Sequence, residues 1–321
     1  MLMNPVQAAA ITWHALRSRD HPLLAQIVVT RRCNLSCAYC NEYDHHSAPV
    51  PLPLLRERVG HLARLKTLMV APSGGEPLLH PSIDEVIREI RERRMVAMIT
   101  TNGYPLTVDL IARLNRAGLQ VMQVSIDNLY PDGTSAKSLA LLDDKLRLLA
   151  RHARFRVNVN SVLGGSAEHA TDVLAVGQRA RHFGFSHTIA LVHDASGLAR
   201  PLGDHEREVY RQAQRGSNAM LQLLNRRLFQ ERILSGSPDR WRCRAGARFL
   251  YVCEHGLVHW CSQRTPPAIP LAQYGRRAIR DAFETGKPCS ASCTVTCVRQ
   301  VSMFDGWRGP QRLPEPAAVR G

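Results

Sequence analysis

Three closely spaced cysteines, Cys33, Cys37 and Cys40, are the residues in this sequence best suited to metal chemistry. They place three thiolate ligands in one short loop. A cubane iron–sulfur cluster has four irons, so three protein ligands leave one iron open to an external chelating group, such as an amino and carboxylate pair. A structural zinc site needs four ligands, which His45 or His46 could complete. The missing fourth cysteine favours the cluster.

The other six cysteines all fall within residues 243–297. Tight cysteine groups on either side of a long cysteine-free stretch are typical of metal or redox centres rather than of disulfides. Two fully ligated cubanes would need eight thiolates, so one further cluster on four of the six is the simplest interpretation. A structural zinc site and unliganded buried thiols are the alternatives.

Short β-branched runs alternate with amphipathic stretches between residues 22 and 192, which predicts alternating strands and helices. The predicted strands are 23–30, 67–71, 96–100, 121–125, 155–160 and 188–192. The predicted helices are 53–65, 81–93, 108–117, 138–151 and 168–183. Such alternation implies parallel strands joined by right-handed crossovers. The fold class is therefore α/β, as either a partial β/α barrel or an open doubly wound sheet.

Polar and glycine-rich segments follow the predicted strands, at the edge where sites form in both of these folds. In chain order they are the Cys33 loop, Gly74-Gly75-Glu76-Pro77, Thr101-Asn102-Gly103, Ser125-Ile126-Asp127, Asn158 with Asn160 and Ser161, and His193-Asp194. Residues two apart on a strand share a face, so Asn158 and Asn160 point the same way. We expect these segments to assemble one site.

The segment Cys33-Asn34-Leu35-Ser36-Cys37-Ala38-Tyr39-Cys40 resembles the cluster motif of the radical S-adenosylmethionine superfamily, and three further motifs follow in that family's order. The resemblance implies a partial (β/α)6 barrel that binds S-adenosylmethionine. It also implies a [4Fe–4S] cluster on the three cysteines, whose open iron chelates the methionine part of the cofactor. One electron from the reduced cluster then gives methionine and a 5′-deoxyadenosyl radical.

The same resemblance implies which residues contact the cofactor. They comprise an aromatic residue against adenine, a glycine turn with a carboxylate around the amino group, a second polar turn, and polar residues near ribose or substrate. In that order they are Tyr39; Gly74, Gly75 and Glu76; Thr101 and Asn102; and Ser125, Asp127, Asn158 and Asn160. The catalytic residues are undefined, with Asp127, His193 and Asp194 as candidates. Ordinary strand-ending turns are the alternative for these segments.

Cys243, Gly256 and Cys261 resemble the opening of the SPASM and twitch modules, which carry auxiliary iron–sulfur clusters in this superfamily. A strand, a glycine turn and a second strand would bring Cys243 and Cys261 together as a hairpin. The downstream spacing departs from the SPASM pattern, in which a cysteine pair two residues apart is expected. A shortened, twitch-like module with one cluster is therefore predicted. Its candidate ligands are Cys243, Cys261, Cys289, Cys293 and Cys297, with Cys253 left over.

These predictions divide the chain into five segments. Residues 1–21 form an N-terminal extension, 22–203 the β/α core, and 204–242 a polar helical bridge. Residues 243–307 form the cysteine-bearing module, and 308–321 a proline-containing tail that is expected to be disordered.

The net charge is +15, and most of the basic residues are arginines. A solvated basic surface is one explanation. The others are docking of an acidic electron donor such as flavodoxin or ferredoxin, an anionic substrate, or contact with nucleic acid or a membrane surface. Arginines scattered through helices without interleaved aromatic residues disfavour nucleic acid.

The sequence carries no apolar run of the roughly 18 residues that a membrane span requires. Its first residues lack the basic start and long apolar stretch of a secretory signal. A cytoplasmic location is therefore expected.

The leading hypothesis is an enzyme that uses the deoxyadenosyl radical on an organic substrate, by hydrogen-atom abstraction or adenosyl addition. Only 32 residues precede Cys33, which we interpret as too few for a peptide-recognition domain, so a small-molecule or lipid-like substrate is favoured. One alternative is a maturase of a ribosomally synthesised peptide, and another is a radical enzyme acting on nucleic acid. An alternative of a different class is a non-enzymatic zinc or iron–sulfur protein that binds nucleic acid.

Overall fold

A computed structural model describes residues 5–165, 167–192, 201–215, 234, 241–264 and 267–308. The described strands, β1 to β9 in chain order, are Leu24–Thr30, Met69–Gly74, Val96–Thr101, Val121–Ser125, Arg156–Leu163, Ser186–Leu191, Phe249–Val252, Leu257–His259 and Ile269–Pro270. The described helices, α1 to α9, are Pro5–Arg17, Leu52–Arg64, Ile83–Glu92, Val108–Ala117, Leu139–His152, Asp172–His182, Asp204–Arg215, Arg276–Glu284 and Thr296–Ser302. None of the described helices is long and apolar enough to span a membrane.

One sheet organises the chain, and its strand order is β6-β5-β4-β3-β2-β1-β7-β8-β9. The first six strands are parallel and lie side by side in chain order. A doubly wound sheet would reverse its strand order at a switch point, and these six strands show no reversal. The arrangement is the wall of a partial β/α barrel, which confirms the predicted fold class.

The helices between these strands form because apolar residues recur at helical spacing. In α3, the buried residues Ile83, Val86, Ile87 and Ile90 follow the three-and-four spacing of one helix face. They join the large core on the outer face of the sheet. Helix α4 ends at Gly118, where a φ of 82° favours glycine, as the sequence predicts.

The inner face of the sheet has two different halves. On β1 to β3 it is apolar, with Leu24, Val28 and Met69 in a cluster that includes Cys243 and Cys261. On β4 to β6 it is polar, because successive inward positions carry amide or hydroxyl groups. The inner face therefore offers an apolar wall beside the C-terminal cysteines and a hydrogen-bonding wall opposite.

Residues after 241 extend the same sheet. Strand β7 pairs in parallel with β1, so the sheet continues across the boundary expected at residue 243. Strands β7 and β8 are antiparallel and meet at Gly256, which has a φ of 78°. This pairing confirms the predicted hairpin between Cys243 and Cys261.

Several element boundaries differ from the predicted ones. Strand β2 begins at Met69 and runs on to Gly74, where Thr30 pairs with it, whereas the predicted strand is 67–71 and Gly74 is expected in a turn. Strand β5 ends at Leu163, so Asn160 and Ser161 lie inside the strand rather than at its end. Helix α6 begins at Asp172 instead of 168. Most of the expected bridge and residues 309–321 of the tail lie outside the described residues.

Candidate active site and cysteine centres

The three-cysteine loop, residues 33–44, follows β1 and is closed by backbone hydrogen bonds. Cys33 N donates to Asp44 O at 2.9 Å, and Cys40 N donates to Cys37 O at 3.0 Å. Ala38 N donates to Thr134 O at 3.0 Å, which docks the loop on the segment after β4. These bonds fix the loop at the carboxyl edge of the sheet, where the sequence predicts the site.

Two hydrogen-bond donors lie beside the Cys33 thiol. Cys33 Sγ lies 3.4 Å from Leu35 N and 3.8 Å from Asn102 Nδ2. Cys37 Sγ lies 3.7 Å from Ser135 Oγ, whose hydrogen is donated to Asp127 Oδ2. Cys33 is half-buried, and burial raises the pKa of its thiol. Donors aimed at sulfur favour the thiolate, which is the form that binds iron.

The zinc alternative finds no support in the neighbouring histidines. His45 Nδ1 lies 3.0 Å from Cys33 O and His45 Nε2 lies 2.9 Å from Ser36 Oγ, so hydrogen bonds occupy both ring nitrogens. Within the described part of the chain, no three His, Cys, Asp or Glu side chains converge where a single metal ion could bind. The thiolates of a cubane each bind a different iron, so that centre does not need such convergence.

The glycine turn packs against the strand that leads into the loop. A Cβ on Gly74 would lie 1.9 Å from Thr30 O, and one on Gly75 would lie 2.3 Å from Arg31 O. Gly75 N donates to Thr30 O at 2.9 Å. Both glycines are therefore needed where the protein's own backbone passes close to them. Their contact with the cofactor stays a prediction.

Glu76 connects the second and third strand ends. Its Oε1 accepts from Thr101 Oγ1 at 2.7 Å and from Leu78 N at 2.9 Å, and its Oε2 accepts from Asn102 N at 2.7 Å. Glu76 is 1% exposed, and this burial raises its pKa to about 7 although the three donors lower it. The carboxylate is held in one orientation beside the cysteine loop.

Asn102 joins the third strand end to the same loop. Its Nδ2 donates to Asn34 Oδ1 at 2.8 Å, and its Oδ1 accepts from Tyr104 N at 3.0 Å. Thr101 and Asn102 are both buried. The structure therefore brings together the cysteine loop, the glycine turn and the second polar turn, as expected from neighbouring parallel strands.

Asp127 is the centre of a polar cluster that the sequence only partly predicts. Its Oδ2 accepts from Tyr39 Oη at 2.5 Å and from Ser135 Oγ at 2.7 Å, and it lies 3.0 Å from Lys137 Nζ. Its Oδ1 is buried and has no hydrogen-bond partner within the described residues. Lys137 Nζ also donates to Tyr39 Oη.

Lys137 and Ser135 are site residues that the motifs do not reveal. They lie in an irregular loop, residues 128–138, which Asp132 shapes by accepting from Thr134 N at 2.8 Å and Ser135 N at 2.7 Å. Burial opposes the charge on Lys137, but Asp127 and Tyr39 outweigh it and raise the pKa of the ammonium. The only signal in the sequence is that Lys137 follows Asp127 by ten residues, a spacing that matches neither a helix nor a strand.

A polar ladder crosses the inner face of β4 to β6. Asn158 Nδ2 donates to Gln123 Oε1 at 3.3 Å and to Thr188 Oγ1 at 2.8 Å, and Thr188 Oγ1 donates to Asn160 Oδ1 at 2.8 Å. Asn158 is fully buried, whereas Asn160 and Ser125 are half-buried. Asn158 and Asn160 share a face as predicted, and Asn160 is the one accessible to a ligand. His193 and Asp194 lie outside the described residues.

Five of the C-terminal cysteines form one group. The thiol of Cys243 is close enough to Cys293 and Cys261 for their charges to affect its pKa, and Cys261 is related in the same way to Cys289 and Cys297. Burial raises the pKa of Cys243 to about 12.

Cys253 packs in the same buried cluster as Cys243 and Cys261. Its carbonyl oxygen accepts from Arg58 Nη1 at 3.4 Å. Its exclusion from the ligand set therefore stays a prediction from the sequence.

The two cysteine centres are connected by side chains. Tyr251 Oη donates to Glu42 Oε1 at 2.5 Å, and Asn41 Nδ2 donates to Gln263 Oε1 at 3.2 Å. Glu42 and Asn41 follow Cys40 in the loop, and Gln263 follows Cys261 closely. These two hydrogen bonds join the loop that follows Cys40 to the segment that carries Cys261.

Residues 27–190 match the family model described as the radical SAM superfamily. That match covers half of the chain, and it coincides with the six parallel strands and the cysteine loop. The chain belongs to the radical SAM superfamily and is an enzyme. Members of this superfamily bind a [4Fe–4S] cluster and S-adenosylmethionine, which excludes the non-enzymatic alternative.

Curated relatives match over a shorter part of the chain. The probable GTP 3′,8-cyclase of Methanocaldococcus jannaschii is 36% identical over 112 residues, which are 33% of this chain and 37% of that protein. The AdoMet-dependent heme synthase of Methanosarcina barkeri is 30% identical over 109 residues, 33% of this chain and 31% of that protein. The matches span about a third of these relatives' lengths.

Two solved structures share the fold over most of the chain. Streptococcus suis SuiB bound to its precursor peptide SuiA has a TM-score of 0.59 at 17% identity, covering 93% of this chain and 76% of that one. The peptide-bound anSMEcpe structure has a TM-score of 0.54 at 15% identity, covering 88% of this chain and 96% of that one. At such identities the likeness concerns the fold alone.

Proposed function

We propose that Cys33, Cys37 and Cys40 hold the [4Fe–4S] cluster and that the enzyme uses S-adenosylmethionine to act on a polar organic molecule. When bound, the cluster supplies the electron that cleaves the cofactor into methionine and the 5′-deoxyadenosyl radical. The radical would abstract a hydrogen atom from the substrate or add to it. The observation that carries the proposal is a three-thiol loop at the carboxyl edge of a β/α barrel, beside which the described residues offer no fourth cysteine or histidine ligand.

The residues present fit such a cluster. Thiolates are the ligands that iron–sulfur clusters prefer, and Leu35 N and Asn102 Nδ2 lie near Cys33 Sγ as donors. Hydrogen bonds to sulfur stabilise the charge of a cluster. In this proposal, Asn102 orients Cys33 from the end of β3, and Ser135 lies against Cys37 from the loop after β4.

The cofactor would extend from the cysteine loop across the strand ends. Glu76, beside the loop, is placed to face an ammonium group, and the free Oδ1 of Asp127 to accept from a ribose hydroxyl. Tyr39 is tethered through its hydroxyl, which holds the ring at the cysteine loop, where it would contact adenine. Gly74, Gly75, Thr101, Ser125 and Asn160 complete the proposed pocket.

Residues 243–307 would carry one auxiliary cluster on four of the five grouped thiols, Cys243, Cys261, Cys289, Cys293 and Cys297. Support comes from the burial of Cys243, Cys261 and Cys293, from the mutual influence of the five thiols on their pKa values, and from the Cys243–Cys261 hairpin. The twitch-like character of this module rests on the cysteine spacing. The net charge of +15 supports an acidic electron donor such as flavodoxin or ferredoxin.

The polar ladder favours a polar substrate over a lipid-like one. Gln123, Asn160 and Thr188 face the inside of the barrel and remain partly accessible, and they offer amide and hydroxyl groups. Covering these partly accessible amide and hydroxyl groups with an apolar chain removes them from water without offering new hydrogen bonds, which costs free energy. A small polar molecule satisfies the same groups with hydrogen bonds.

Cofactor cleavage under anaerobic conditions tests the proposal. Reconstituted protein with dithionite and S-adenosylmethionine should form 5′-deoxyadenosine, and Cys33→Ala should abolish it while keeping the auxiliary iron. Cys253→Ala is the matched control, because it removes a thiol that is not among the proposed ligands of the [4Fe–4S] cluster, and it should cleave the cofactor as wild type does. Cleavage by Cys33→Ala at the wild-type rate would disprove the assignment.

A GTP cyclase activity is the second candidate, because relatives of that name are up to 37% identical over part of the core. If the enzyme had this activity, incubation of the reduced enzyme with S-adenosylmethionine and GTP would give a cyclised nucleotide detectable by mass spectrometry. We expect that no cyclised nucleotide forms, because a triphosphate needs cationic partners and the described polar ladder offers neutral groups. Peptide modification remains the other alternative, and an untargeted comparison of metabolites with a deletion strain separates it from a small-molecule reaction.

A further inference from the structure

A buried ion pair lies between the cysteine loop and the end of β4. Lys137 Nζ is 3.0 Å from Asp127 Oδ2, and the two side chains are 12% and 2% exposed. The ammonium also lies 4.9 Å from the centroid of the Tyr39 ring. A buried charge pair is expensive to desolvate, so its presence within a polar cluster calls for a role.

The two carboxylate oxygens of Asp127 have unequal surroundings. Oδ2 is used by Tyr39, Ser135 and Lys137, whereas Oδ1 is buried with no hydrogen-bond partner in the described chain. Asp127 also lines a cavity of about 20 Å³ together with Tyr39 and Gly164. This space is large enough for one oxygen atom, such as that of a ligand hydroxyl group.

Lys137 reaches both groups that the proposed cofactor would meet. It donates to Tyr39 Oη and pairs with Asp127, so one ammonium fixes the aromatic ring and the carboxylate at once. Its backbone is fixed as well, because Asp127 N donates to Lys137 O at 2.7 Å. The side chain is thus anchored at both ends.

We propose that Lys137 is a positioning residue for the nucleoside part of S-adenosylmethionine: it holds Oδ2 of Asp127 and the Tyr39 hydroxyl, and so presents Oδ1 to a ribose hydroxyl. This inference rests on the proposed function. It predicts that loss of the ammonium weakens recognition of the nucleoside but not of the methionine end, which lies at the cluster.

The experiment compares three ligands on anaerobically reconstituted holoenzyme: S-adenosylmethionine, 5′-deoxyadenosine and methionine. For Lys137→Met, the dissociation constants of the first two should rise by about 10-fold, as expected for one lost charge-assisted contact, while that of methionine stays unchanged. Lys145→Met is the matched control, because Lys145 Nζ donates to Leu106 O away from the site. It should bind all three ligands as wild type does.

A double-mutant cycle shows whether Lys137 acts through Asp127. Asp127→Asn should weaken nucleoside binding, and adding Lys137→Met to it should cause little further loss. Additive losses, or an equal loss of methionine affinity, would overturn the inference. The electron paramagnetic resonance spectrum of the reduced cluster without ligand should be the same in all variants, because the lysine does not ligate iron.

Two further outcomes keep the inference distinct from the proposed function. Wild-type protein that binds neither cluster nor S-adenosylmethionine would refute the proposed function itself. Wild-type binding with unchanged affinities in Lys137→Met would refute the role of Lys137 alone. If Lys137→Met does not fold, Lys137→Gln removes the charge while keeping a donor, and it should show the same selective loss of nucleoside binding.

Discussion

Glu76 shows how a buried carboxylate makes stability depend on pH. An unfolded glutamate ionises near pH 4.5, whereas Glu76 in the folded protein holds its proton to about pH 7 because it is buried. Between these values unfolding releases a proton, so stability decreases as pH rises from 4.5 to 7 and stays lower above. The difference is on the order of 3 kcal/mol.

Glu76→Gln should therefore flatten the pH dependence of the thermal midpoint between pH 5 and pH 8. The amide cannot ionise, and the Asn102 contact that it weakens does not depend on pH in this range. Glu92→Gln changes an exposed glutamate and should leave the wild-type profile intact. Parallel profiles for wild type and Glu76→Gln would show that Glu76 does not titrate as stated.

Gly74 is a position where no other residue fits. Its φ is 125°, and a Cβ would lie 1.9 Å from Thr30 O. Gly74→Ala should destabilise the fold by more than about 2 kcal/mol and lower the iron content, because Thr30 leads into the cysteine loop. Gly275→Ala is the control, since nothing lies within 4 Å of its added Cβ. Thermal unfolding and iron analysis measure both effects, and normal iron in Gly74→Ala would contradict this account.

The site residues differ in how far the sequence could predict them. Cys33, Glu76 and Asn102 come together because the carboxyl ends of neighbouring parallel strands meet at one edge, and the strand pattern is visible in the sequence. Lys137 and Ser135 belong to the same site, but an irregular loop places them there. Their position depends on tertiary contacts such as Ala38 N with Thr134 O, which leave no periodic signal.

At the scale of elements, strand β7 connects the two cysteine centres. It follows Cys243, pairs in parallel with β1, and carries Tyr251, whose hydroxyl donates to Glu42 in the cysteine loop. The antiparallel hairpin that begins with β7 could be predicted from a local glycine turn. The parallel pairing could not, because the two partners are more than 200 residues apart and are joined by no local pattern.

Tyr251→Phe should loosen the cysteine loop without unfolding the sheet. It removes one hydrogen bond from Glu42, which is worth about 1 to 3 kcal/mol to a charged acceptor. Amide hydrogen exchange in residues 38–44 should accelerate by about 5-fold or more, while α4 exchanges at the wild-type rate. Tyr130→Phe removes a hydroxyl from a side chain that is 73% exposed and should leave the loop unchanged. Unaltered exchange in Tyr251→Phe would show that this bond does not restrain the loop.

At the scale of the whole molecule, one buried ion pair joins three distant parts of the chain. Arg248 Nε lies 2.7 Å from Asp305 Oδ2, and both side chains are fully buried. The same guanidinium donates to Ala15 O at 2.6 Å and to His21 O at 3.0 Å. Helix α1, the start of the sheet and the C-terminal segment are therefore held at one point.

Arg248→Met should destabilise the protein by about 2 to 3 kcal/mol, because it removes the guanidinium's bonds to Asp305 and to two carbonyl oxygens and leaves the buried carboxylate with Arg308 as its cationic partner. The double variant Arg248→Met with Asp305→Leu should recover part of that loss, since it removes the buried carboxylate that Arg308 alone would then neutralise. Thermal unfolding of the anaerobic protein measures both, with Arg277→Met as the control because Arg277 is 96% exposed. A double variant less stable than Arg248→Met would mean that the carbonyl contacts and the Arg308–Asp305 pair, rather than the Arg248–Asp305 pair, hold these three parts together.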